Sequence, residues 1–165
     1  MVMQGGSSGR AYRVVTPGTA RAEDGRAADY ASSFEIAGAD VAGHSAEHWA
    51  RATFEGAPAA WRWALVFGWR AVLWLRLGPR NSPDHVLGWK ISARTPSTLT
   101  LRVRSVLVTA HKVVEVGDGR LTVSTLVRYE RRWARLVWAA LAPIHHVLEP
   151  RLITRAVTHA HPPAV

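Results

Sequence analysis

His44 and His48 bracket the segment HSAEH, which matches in form the H-x-x-E-H pattern of zinc hydrolases. In that chemistry two imidazoles four residues apart share a helix face and hold zinc, and the glutamate is the general base. Ser45 reads instead as the N-cap of the helix that follows, which leaves His44 outside it and takes the two rings off a common face. No second motif supplies a third ligand. The chain contains no cysteine, so thiolate metal sites, disulfides and cysteine nucleophiles are excluded. No metal or other cofactor is expected. His145 and His146 are adjacent, so on a helix they diverge by about 100° and cannot chelate one ion. His145 falls at the edge of an apolar arc, where it could serve a pocket as an acid–base group; His146 should face water. No phosphate-cradling loop or nucleophile elbow is found. GGSSG near the start follows no strand, and GDG at 117–119 reads as a hairpin turn.

The net charge is +9, which invites a nucleic-acid or anionic-membrane reading. Yet Lys90 and Lys112 are the only lysines, and every other basic residue is arginine. With abundant Ala and Val, this looks like GC-biased coding. The charges are scattered, with no run longer than Arg131–Arg132, and no sheet-borne platform of aromatics accompanies them. The charge therefore has a functional and a compositional reading, and nucleic acid is not an expected partner.

The most membrane-like stretch is AAWRWALVFGWRAVLWLRL, residues 59–77. Arg62, Arg70 and Arg76 interrupt it, so it lacks the roughly 18 uncharged residues of a membrane span. On a helix the three arginines fall within an arc of about 120°. That suits a core helix with snorkelling arginines, or a helix lying on a membrane surface. The opening MVMQGGSSGR shows no apolar signal segment. Residues 1–24 read as a flexible Gly/Ser-rich leader before one domain at 25–160. With cysteine absent, a cytoplasmic location is expected.

The elements that must position any site follow from periodicity. DYASSFEIA alternates as a first strand, and AYRVV could add an edge strand. SAEHWARATFEG reads as a capped helix stopped by Gly56, and Pro58 opens a second helix predicted to reach about Leu77. Four alternating segments follow. In them Trp89, Ile91 and Ala93; Leu99, Leu101 and Val103; Val106, Val108, Ala110, Val114 and Val116; and Leu121, Val123, Thr125, Val127 and Tyr129 share faces. His111 and Glu115 fall on the opposite face, which predicts an antiparallel sheet with one solvated side. A long helix follows directly. Its apolar arc is read as Leu136, Val137, Ala140, Ile144, Val147 and Leu148, with Arg135, Ala142 and His146 opposite. Pro143 should bend it and Pro150 end or kink it.

This order of elements resembles the helix-grip fold of the START-like superfamily, the SRPBCC group of polyketide cyclases and lipid-transfer proteins. The segments DYASSFEI, SAEHWARATFEG, LRLGPRNSPDHVLGWKI and TLVRYERRWARLVWAALAPIHHVLEPRLITRA are further similar to an uncharacterised bacterial domain family near that superfamily, over about residues 28–158. The resemblance implies an α+β fold in which the last helix covers the concave face of a curved sheet. It implies a pocket beneath, with a volume above roughly 300 Å³, and transfers no catalytic residue. A small hydrophobic molecule, such as a lipid, isoprenoid or polyketide, is the expected partner. Candidates for lining the pocket are Trp89, Lys112, Thr125, Tyr129, Trp133, Ile144 and His145. A cyclase or dehydratase acting through the same pocket, and a peripheral membrane protein using the Trp/Arg-rich second helix, are the alternatives.

Overall fold

The computed structural model describes residues 9–14, 25, 27–38, 41–80 and 82–160; residues 1–8 and 15–24 of the expected leader lie outside them. The strands are β1 (Tyr12–Val14), β2 (Tyr30–Ala37), β3 (His85–Val86), β4 (Trp89–Arg94), β5 (Thr98–Arg104), β6 (Val108–Gly117) and β7 (Arg120–Tyr129). They form one seven-stranded sheet in the order β1-β2-β7-β6-β5-β4-β3, antiparallel at every pairing. AYRVV supplies the edge strand, and the first long strand lies beside the last. Three helices complete an α+β fold: α1 (Ala46–Phe54), α2 (Ala59–Phe67) and α3 (Ala134–His159).

The period-two pattern places Phe34, Ile36, Leu99, Leu101, Val103, Val114, Leu121, Val123 and Val127 in the core. The opposite face is less solvated than the alternation predicts: Ser33, Thr100, Thr109 and His111 are buried there. In register His111 lies between Arg102 of β5 and Leu126 of β7, and such long neighbours shade a mid-sheet side chain. Ser33 and Ser124 satisfy one another across β2 and β7 at 2.8 Å. The β6–β7 hairpin closes through two residues, Asp118 and Gly119, both with positive φ (51° and 70°). These signs define the type I′ turn that matches strand twist.

Ser45 caps α1, its Oγ accepting from the His48 amide at 3.2 Å. Arg51 then ties α1 to the chain before β4. Its guanidinium pairs with Glu47 and Glu55 and donates to the carbonyls of Ser82, Pro83 and His85. The second helix is shorter than predicted. It ends at Phe67, continues as one π-helical turn over Gly68–Val72, and then leaves the helix through Trp74, whose φ is +51°. The reason is a change of period. In LWLRL, Leu73 and Leu75 are buried while Trp74 and Arg76 are exposed, an alternation no helix can satisfy. The Arg76 amide donates to the Arg104 carbonyl at 3.0 Å, tying this segment to the end of β5.

The last helix does not end at Pro150: it stays helical through both Pro143 and Pro150, each of which withdraws one backbone donor. Its buried side is nearly half a turn from the predicted arc, which corrects that expectation. Ala134, Trp138, Glu149, Leu152, Ile153 and Ala156 are buried, whereas Leu136, Ile144 and Val147 are exposed. His146 does not face water alone: it stacks on Tyr30 and hydrogen-bonds its hydroxyl.

The hairpin turn yields a prediction. Gly119→Ala forces a side chain into the left-handed region and should lose about 1–2 kcal/mol. Urea denaturation followed by circular dichroism reads this, and an unchanged midpoint would contradict the assigned turn.

Candidate functional site

β6 sends Lys112 to the same face as Ala110 and Val114. Its register partners are Leu101 on β5 and Thr125 on β7, and all three residues are buried. A lysine so placed needs a counter-charge, because an isolated buried ammonium is strongly disfavoured. α3 supplies it. Glu149, 3% exposed, forms an ion pair with Lys112 Nζ. Lys112 also donates to Thr125 Oγ1 at 2.8 Å, and Thr125 donates to Glu149 Oε2 at 3.1 Å. One helical turn earlier, His145 brings Nε2 to 2.6 Å from Glu149 Oε2. The two are not aligned for a hydrogen bond, and among the described residues Nδ1 has no partner. Phe54 and Trp89 flank the ammonium with ring centroids 5.1 and 5.9 Å away, in cation–π range.

Burial alone would raise the Glu149 carboxyl, but the charges of His145 and Lys112 outweigh it and hold the group far below the usual carboxylate range. Glu149 is therefore ionised at neutral pH, and the pair adds no net charge to the interior. What it offers a ligand is a fixed dipole with His145 beside it.

These groups close the inner end of a half-open cavity of about 180 Å³ between α3 and α2 with its π-helical turn. The walls are apolar: Phe54, Leu65, Trp69 and Leu73 on one side; Trp138, Leu141, Leu148 and Leu152 on the other. Ala64 and Ile144 line the cavity and are exposed, which places the mouth between them. The cavity is smaller than expected because α3 turns Trp138 and three leucines into the space.

Of the residues singled out from sequence, Lys112 and His145 line the inner end; Thr125 bonds Lys112 and Glu149, and Trp89 flanks the ammonium, but neither lines the cavity. Ile144 stands at the mouth. Tyr129 and Trp133 are misplaced by that reading. Tyr129 shares a face with Thr125 but lies about 13 Å further along the strand, half-buried against the core. Trp133 sits in the turn before α3 and is exposed. Glu149, Trp138 and Leu141 were missed. The signal for Glu149 was present: it is the sole carboxylate in residues 131–159 and lies four residues after His145. In HSAEH, Glu47 is held by Arg51 and Arg94, and the His44 and His48 rings stack at 4.2 Å. Among the described residues no third group joins them.

No family model matches the chain, and no curated protein or solved structure matches it either.

The ion pair makes a thermodynamic prediction. Lys112→Met strands a buried carboxylate and should lose about 3–5 kcal/mol, while adding Glu149→Leu should restore most of that. Because the folded-state carboxyl sits below its unfolded value, its stabilisation is complete above the ordinary carboxylate range. It is lost as pH falls below that range. Wild type should therefore lose more stability than the double variant between about pH 5 and pH 3, as urea titrations at each pH would read. Equal losses in single and double variants would refute the pairing.

Proposed function

We propose that the protein binds a small hydrophobic molecule, of the lipid, isoprenoid or polyketide-like kind, in the cavity between the C-terminal helix and α2 with its π-helical turn, rather than in the expected pocket between that helix and the sheet, which contributes only Lys112 to the lining. The observation that carries this reading is a cavity with apolar walls and one polar end, the usual composition of a small-molecule site. The polar end strengthens it. Well-packed apolar residues would be at least as stable there as a buried ion pair, so stability gives no reason to keep Lys112, Glu149 and His145 inside. A polar group on a ligand does. At about 180 Å³, the cavity suits one ring or a short chain, or the head of a longer molecule whose tail leaves past Ala64 and Ile144. The succession of strand, two helices, antiparallel meander and covering helix is compatible with a helix-grip, START-like arrangement. A cyclase or dehydratase is favoured less. It asks Lys112, Tyr129 and His145 to surround one point; Tyr129 stands apart, and the other two are turned toward Glu149.

A second reading has its own observation. The outward sides of both helices at the mouth carry exposed apolar residues: Trp63 and Phe67 on α2; Leu136, Ile144 and Val147 on α3. Residues 59–76 and 131–159 contain eight arginines and one carboxylate, the buried Glu149. Aromatic and basic side chains together suit the interface of an anionic bilayer. No helix among the described residues is long and apolar enough to cross a membrane, so such contact would be peripheral.

Gly68 offers a decisive variant for the cavity. It lines the space, has helical φ and ψ, and a Cβ there meets nothing within 4 Å. Gly68→Leu should fold normally and fill the cavity. Native mass spectrometry of detergent-free protein should show a bound hydrophobic molecule on wild type and none on Gly68→Leu; identical spectra with no added mass would sink the proposal. For the surface, flotation with phosphatidylglycerol-containing vesicles at low salt is expected. Trp63→Ser with Phe67→Ser should reduce it about tenfold; no flotation would end that reading.

A further inference from the structure

On the other face of the sheet, the segment after the π-helical turn and the outward sides of β4 and β5 enclose a groove of about 600 Å³. Arg76, His85, Lys90, Arg102 and Arg104 line it, with no carboxylate among the lining residues. We propose that this groove is a binding site for a small phosphorylated anion of the diphosphate or triphosphate class, distinct from the internal cavity.

The argument begins with strand register. Lys90 and Arg102 are direct cross-strand partners. Like charges directly opposite one another destabilise a sheet pair, and here nothing in the lining offsets them. Arg104 lies two residues beyond Arg102 on the same side, about 7 Å along the strand. Arg76 is brought alongside by the hydrogen bond from its amide to the Arg104 carbonyl. Four permanent cations thus converge where a sheet would ordinarily alternate signs. Among the described residues, the buried Nε of Arg102 has no hydrogen-bond partner, so one edge of its guanidinium is left without an acceptor. Glu130, whose charge Arg104 feels, is already engaged by Arg128 at 2.8 Å and Thr109 at 2.6 Å.

Two glycines let the walls of the groove pack closely on one another. Gly88 has φ of +89°, and a Cβ there would come within 3.0 Å of Leu77. Gly78 leaves room for the His85 ring, which a side chain at that position would strike. His85 Nδ1 is held by Ser82 Oγ at 3.2 Å, fixing the ring at the rim. Arginine forks recognise phosphoryl oxygens in bidentate fashion. A diphosphate carries enough charge to span Lys90, Arg102 and Arg104, whereas a monovalent anion leaves most of the cluster unmatched. The groove is short and no Phe, Tyr or Trp lines it, which disfavours single-stranded nucleic acid.

The test is thermal unfolding of the full chain with inorganic pyrophosphate, against sodium chloride at matched ionic strength. Pyrophosphate should raise Tm by about 5 °C and chloride should not. Arg102→Met removes both the like-charge pair and the ligand contact. It should therefore leave Tm without anion equal to or above wild type while weakening pyrophosphate binding at least about tenfold, as read by calorimetry. Gly68→Leu, which alters only the internal cavity, should keep the full shift, so failure here is separable from failure of the hydrophobic-ligand proposal. No pyrophosphate-specific shift, or a shift that survives Arg102→Met, would overturn the site. So would tight binding of an oligonucleotide or anionic vesicle that excess pyrophosphate fails to displace.

Discussion

The rotation of α3 depends on one ion pair, Lys112 with Glu149. Apolar side chains occur all round this helix. Trp138, Leu141, Leu148 and Leu152 face inward, while Leu136, Ile144 and Val147 face out. At about 25 cal/mol per Å² of buried apolar surface, the two sides offer comparable gains, so hydrophobic burial does not choose between them. The sheet chooses. With Glu149 outside, Lys112 would be an unpaired cation in a low-dielectric core, at a penalty of several kcal/mol. That difference is larger than any plausible gain from exchanging one leucine for another. The pair thus sets which residues see the cavity, and Thr125 fixes its geometry by bonding both partners.

The same constraint explains what could be read from sequence. The strands were legible because their period of two is unambiguous in TLTLRVR and RLTVSTLVRY, and because GDG names its own turn. The existence of the long helix was legible too. Its orientation was not, because the reading chose the arc richest in aliphatics, Leu136 to Leu148, set His145 only at its edge and gave Glu149 no place in it. A glutamate counts as polar in any periodicity argument, and only its pairing with a lysine 37 residues earlier in the chain makes it a core residue. Lys112 itself was picked out as a polar side chain among apolar neighbours, and that half of the pair was enough to locate the inner end of the site. Tyr129 and Trp133 failed for the complementary reason: sharing a face with Thr125, or preceding the helix, says nothing of distance along it.

Segment 59–77 shows a second conflict, between two periods in one run of apolar residues. Its first half obeys the helical repeat, while LWLRL obeys the strand repeat with Leu73 and Leu75 buried. Composition is the same in both halves, so length alone suggested a single helix. The π-helical turn over Gly68–Val72 is where the chain exchanges one period for the other. The second half carries Arg76 beside Lys90, Arg102 and Arg104, and so distributes the basic charge to the face opposite the cavity.

That transition also accounts for the cavity. α3 presents large side chains to the interior, and the sheet beneath is filled by branched aliphatics; neither leaves a void. The space arises on the α2 side, where the small residues Ala64 and Gly68 line it. Gly68 begins the π-helical turn with ordinary helical φ and ψ, and it withholds the side chain that would close the gap. A leucine at that position would be compatible with the backbone, and close packing would favour it. Its absence leaves Lys112, Glu149 and His145 at the end of an apolar passage rather than sealed beneath a filled core.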